Sequence, residues 1–129
     1  MKYDAHIQAF NERRETIIKW AIDIRGIESS QRIIGDNASK AICELLSAYL
    51  HKKRAVEEGF QLNHSWFKSE GIYERLPEFE NKSKLIEKMI ELEKLCENLS
   101  YGSPKPVEKI KLTLELFKYL ESILQEMLK

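Results

Sequence analysis

Apolar residues recur along most of the chain at the three-and-four spacing of an α-helix. Ile7, Phe10, Ile17, Ala21 and Ile24 make one stripe, with Trp20 beside it, and predict a first helix from Asp4 to about Arg25. Arg13 and Arg14 fall where a further apolar turn would fit. Gly26 supplies the stop, because glycine enters the left-handed backbone without a steric penalty. A second stripe, Ile34, Ala38, Ala41, Ile42, Leu45, Tyr49 and Val56, predicts a helix from about Gln31 to Glu58, with Ser29 or Ser30 as its cap and Gly59 as its end. Gly35, Ala38 and Ala41 are small, so a neighbouring helix can come close there.

Residues 60 to 80 break the period. They carry Trp66 and four other aromatics in no regular order, and Pro77 stops them from joining a long helix. Asn63 is read as the cap of a short helix from His64 to Ser69, inside a packed connection. A third long helix runs from Lys82 to about Leu99 on Leu85, Ile86, Met89, Leu92, Cys96 and Leu99, and Gly102 offers a left-handed stop. Ser103 then caps the last helix, with Pro104 at its first position and Pro106 in its first turn. Its stripe is Ile110, Leu114, Phe117, Leu120, Ile123, Leu124 and Met127. Leu112, Leu116, Tyr119 and Leu128 lie off that stripe. A helix apolar on two sides has two partners, which predicts a homodimer. With no alternating strand pattern and no repeat, the expected fold is all-α: an antiparallel up-and-down bundle of four long helices plus one short one, a single domain over 1–129.

Composition narrows the function. The chain has 129 residues, 43% hydrophobic, with 21 basic against 21 acidic side chains. That is enough for a core and too balanced for strong non-specific nucleic-acid binding, which needs a basic surplus or a basic face. Cys43 and Cys96 match no zinc spacing and no disulfide framework, and both fall on apolar helix faces, as reduced residues of a cytoplasmic protein would. No stretch is long enough to span a membrane. Three histidines, His6, His51 and His64, with no Glu-x-x-His pair, make neither a metal site nor a cofactor site.

Four places carry candidate chemistry. Glu44 sits beside an apolar stripe and reads first as a boundary carboxylate bonded to another helix. The cluster His51, Lys52, Lys53, Arg54 is followed by Glu57 and Glu58 and reads as a solvated helix end before a phosphate patch. The stretch Asn63-His64-Ser65-Trp66-Phe67 offers a cap, an imidazole and an indole able to stack on a base, or an aromatic plug for the loop. The junction from Leu92 to Pro106 gathers Asn98, Tyr101, Gly102 and Lys105 between two helices, where free N–H groups favour an anion. The expected ligand groove is formed by His64, Trp66, Asn98, Tyr101 and Lys105, with no catalytic motif among them.

The order of helices and this junction resemble the HEPN domain, a small helical family whose ribonuclease members carry Arg-Asn-x-x-x-His, often followed by Gly, at a corresponding helix end. The matching stretch is Cys96-Glu97-Asn98-Leu99-Ser100-Tyr101-Gly102. Asn98, displaced by one position when Gly102 is the anchor, and Gly102 look familial; Cys96 or Glu97 replaces the Arg and Tyr101 the His. The resemblance implies a homodimeric binding module without the family's RNA cleavage, acting with a nucleotidyltransferase or toxin–antitoxin partner and taking a nucleotide or RNA. The alternative is an enzyme on RNA or nucleotides with a different residue set, His64, Tyr101 and Lys105.

Overall fold

The structure, a computed structural model, describes residues 2–129. Helix α1 spans Tyr3–Glu15 and continues without a break as a π-helical stretch, Thr16–Arg25. Helix α2 spans Gln31–Lys52, α3 is a single turn at Ile72–Arg75, α4 spans Lys82–Ser100 and α5 spans Val107–Leu128. A 3-10 helix at His64–Lys68 lies in the connection between α2 and α3. No strand occurs among the described residues, so the expected all-α class holds.

Cross-helix bonds give the directions. His6 meets Glu44 and Arg13 meets Asn37, so α1 and α2 are antiparallel. Ser39 meets Glu93 and Asp36 meets Ser100, so α2 and α4 are antiparallel too. Lys52 reaches the Leu128 carbonyl while Gln31 bonds the Lys105 amide, so α2 and α5 run together. The path is up, down, up, down. Helix α2 is the centre: it packs on α1, α4 and α5, and every position from Ala41 to Leu50 except Glu44 is buried. Gly35 explains the tight α2–α4 contact. A Cβ there would lie 2.9 Å from both the Cys96 carbonyl oxygen and Leu99 Cβ.

Several boundaries differ from the sequence reading. Helix α1 widens from Thr16 onward, where the β-branched run Thr16-Ile17-Ile18 begins and its stiff side chains crowd an α-helical turn. The wider turn keeps Ile17 and Ala21 inside but carries Ile24 out to 58% exposure, so Ile24 leaves the stripe assigned to it. Helix α2 stops at Lys52, six residues before Glu58. Arg54 takes a left-handed φ of 55° and the Ala55 amide returns to the Leu50 carbonyl at 2.9 Å. Gly59 is therefore not its stop. Helix α5 begins at Val107 rather than at Pro104. Lys105 precedes Pro106, and the ring of a proline disfavours helical backbone in the residue before it. Leu128, read as lying on an outer face, is buried in the core.

The connection between α2 and α4 is fastened rather than loose. Phe67, Ile72 and Leu76 are buried in the core, and Phe79 packs its ring 6.1 Å from that of Tyr49. The Asn63 side chain caps the 3-10 helix by accepting from the Ser65 amide at 2.9 Å, as expected. This anchoring holds His64 against α4.

Candidate functional site

A cleft runs over α2 between the C-terminal end of α4, the 3-10 helix and α1. Gly35, Asp36, Ser39 and Lys40 of α2, Glu93, Cys96 and Glu97 of α4, and His64, Lys68, Ser100 and Tyr101 line its deeper part. It continues past Lys40 and His64 toward Arg13, Glu44, Asn63 and Trp66.

The floor is a hydrogen-bonded network around one carboxylate. Glu93 is 3% exposed. Ser39 Oγ donates to its Oε1 at 2.8 Å. His64 Nδ1–H donates to both oxygens, at 3.0 and 3.1 Å. An ionised carboxylate only accepts hydrogen bonds, so the proton of a neutral His64 sits on Nδ1 and Nε2 keeps its lone pair. The His64 side chain is 36% exposed with Nδ1 turned inward, which leaves the opposite edge of the ring for the cleft.

Most other polar groups here already have hydrogen-bond or ion-pair partners. Ser100 Oγ donates to Asp36 at 2.7 Å, and Lys68 approaches Glu97 at 3.9 Å. Glu44 accepts from His6 Nδ1 at 2.7 Å, which makes it the interhelical boundary carboxylate the sequence suggested. His6 is buried, stacks on His51 at 5.1 Å and leaves Nε2 without a partner among the described residues. Two cations stand apart. Among the described residues Arg13 donates from its guanidinium to the neutral Asn37, at 3.0 Å, and neither Arg13 nor Lys40 has an ion pair. Both face the cleft.

The two cysteines near this floor are not nucleophiles. Burial pushes the Cys43 thiol well above its ordinary range and raises Cys96 to about 12, so both stay protonated near neutral pH.

Of the five residues expected to form a groove, the structure brings His64 and Tyr101 into one cleft and sets Trp66 at its extension. Tyr101 is 71% exposed at the mouth. Trp66 also acts as the plug: the Arg75 guanidinium covers its ring at 4.8 Å and Phe60 meets it edge-on at 6.2 Å. Asn98 is exposed on α4 and Lys105 lies at the junction; neither lines the cleft. At the junction Gln31 ties the two helices' ends, its amide nitrogen donating to the Leu99 and Ser103 carbonyls while its oxygen accepts from the Lys105 amide. Among the described residues no ion pair joins Glu57 or Glu58 to Lys53 or Arg54, and Glu58 bonds Lys2 at 2.8 Å.

Glu93, Ser39 and Lys40 lie in the cleft and were not among the residues expected there. Glu93 had a signal: it falls between Met89 and Cys96 on the apolar stripe, where a carboxylate must find buried donors. Arg13, a polar break in its own stripe, was visible for the same reason.

No family model, no curated protein and no solved structure matches the chain. No group of side chains with metal-ligand geometry occurs among the described residues, and none of their helices is long and apolar enough to cross a membrane.

Proposed function

We propose that the chain is a HEPN-like helical binding module that takes a nucleotide or a single strand of RNA in the cleft over α2. The observation that carries this reading is the pair Arg13 and Lys40, two cations facing one cleft without a carboxylate partner, beside His64 and Asn63. Charged side chains left unmatched next to polar donors suit phosphate, which needs positive charge and hydrogen bonds together. The up-down-up-down helix order supports the HEPN comparison. The replacement of the family's Arg and His by Cys96 or Glu97 and Tyr101 supports binding rather than the family's RNA cleavage. The nucleotidyltransferase or toxin–antitoxin partner follows from that comparison, and co-purification with such a partner encoded beside this chain is its test; a chain that purifies alone from those cells speaks against it.

Fluorescence anisotropy with a labelled oligouridylate of about ten nucleotides tests the cleft. Lys40→Ala should weaken binding and lower the slope of log affinity against log salt by about 0.7, the share of one phosphate contact on a single strand. AMP as competitor separates a mononucleotide site from a strand site. Unchanged affinity and slope in Lys40→Ala would remove the cleft from the account.

The homodimer is part of the same proposal. Leu112 and Tyr119 are 49% and 40% exposed on α5, and Leu116 between them is only partly covered. That row is expected to meet a second copy. Light scattering at micromolar concentration should give twice the 15.2 kDa chain mass, and Leu112→Glu with Leu116→Glu should return it to one. A wild-type monomer at that concentration contradicts it.

A further inference from the structure

We infer that the cleft takes up a proton together with its anionic ligand, and that His64 is the group that holds it. The inference rests on the reading that the cleft receives a phosphate. It adds what that reading lacks, namely how a cleft rich in carboxylates can hold an anion.

The charge balance forces the question. Helix α1 contributes Arg13; α2 contributes Lys40 against Asp36 and Glu44; the 3-10 helix contributes Lys68; and α4 contributes Glu93 and Glu97. Three cations face four carboxylates. With neutral histidines the cleft carries one net negative charge and repels phosphate. One proton on a cleft histidine brings the lining to neutrality, with Glu93 answered by the imidazolium and Lys40 and Arg13 held in no ion pair among the described residues.

Geometry selects His64 for that proton. Its Nδ1–H is fixed on Glu93, so an added proton goes to Nε2, on the ring edge left for the cleft. Glu93 then faces an imidazolium, an ion pair held in place by Ser39. Nε2–H becomes a charge-assisted donor able to meet a phosphate oxygen, alongside the Lys40 ammonium. The other titratable groups do not fit the part. Cys43 and Cys96 stay protonated, the thiols held there by burial. His6 does not line the cleft, and its stacked neighbour His51 spends Nε2 on the Phe60 carbonyl at 3.0 Å. Imidazole is the side chain whose charge ordinarily changes between about pH 5 and 8, which sets the range for the test.

The sign follows. The bound state holds more protons than the free state, so affinity rises as pH falls. Anisotropy with the same labelled oligouridylate should read about tenfold tighter binding at about pH 6 than at about pH 8, within the ceiling of roughly a hundredfold that one coupled proton sets over two pH units. His64→Gln cannot take the proton; it should bind at both pH values as the wild type does at the higher one. Calorimetry in two buffers of different ionisation heat should show proton uptake by the wild type and none by His64→Gln. Melting curves of both proteins at both pH values confirm that the fold is compared with itself. Equal wild-type affinity at both pH values overturns the proton coupling and leaves the cleft reading intact. A pH dependence that persists in His64→Gln gives the proton to another group and overturns the assignment. Absence of binding at either pH removes both readings at once.

Discussion

Phe67→Ala is expected to lower the stability of the chain by about 3–5 kcal/mol, which for a domain of this size is a fall in melting temperature of roughly 10–20 °C. Phe67 is fully buried and sits three residues after His64, inside the same 3-10 helix. Its ring is one of the few points at which the long connection between α2 and α4 enters the core. Removing it leaves a cavity and frees the segment that holds His64 on Glu93. Thermal unfolding should therefore shift, and binding in the cleft should weaken in the fraction that remains folded. A loss below about 1 kcal/mol would mean that the connection is fastened elsewhere.

Gly35→Val should cost about 3 kcal/mol through overpacking. The added Cβ meets Ser100 Oγ at 2.8 Å and the Cys96 carbonyl oxygen at 2.9 Å, and a main-chain carbonyl cannot rotate away. Helices α2 and α4 must separate, which strains the Ser39–Glu93 and Ser100–Asp36 bonds across the same seam. Gly35→Ala should cost less, because alanine recovers about 1 kcal/mol of helix propensity that glycine gives up. Urea titration of the two variants orders them. A Gly35→Val protein as stable as the wild type would show that the seam is looser than these distances imply.

The bundle was legible because each long helix writes its buried face into the chain at regular spacing. Gly35, Ala38 and Ala41 even marked where helices approach. The errors fell where a local preference yields to tertiary contacts. Ala55 and Val56 look like a further turn of α2, yet the chain leaves the helix at Lys53 through Arg54 in a conformation more often taken by glycine. Ser103 and Pro104 look like a helix start, yet Pro106 keeps the residue before it out of the helix and α5 begins three residues later, at Val107. In α1 the change to a wider turn moved Ile24 outward, and no spacing rule for an α-helix contains that change.

The site was legible in part. His64 and Tyr101 stood out as polar residues at element ends, and both reach the cleft. Asn98 and Lys105 stood out for the same reason and do not, because nearness in sequence at a junction says nothing about which way a helix face turns. Glu93 was the opposite case. Its partners Ser39 and His64 lie 54 and 29 residues away, so only the fold could bring them together. What the chain did offer was the anomaly of a carboxylate on an apolar stripe.

The central claim is that the cleft over α2 receives a phosphate-bearing ligand. The most direct measurement is a titration of the isotope-labelled protein with oligouridylate, followed by the shifts of its backbone amide and imidazole resonances. The shifts should gather at Arg13, Lys40, His64 and Tyr101, with the imidazole signals of His64 moving toward their protonated positions. Shifts confined to the outer face of α5 around Leu112 and Tyr119, or no shifts at saturating ligand, would contradict it.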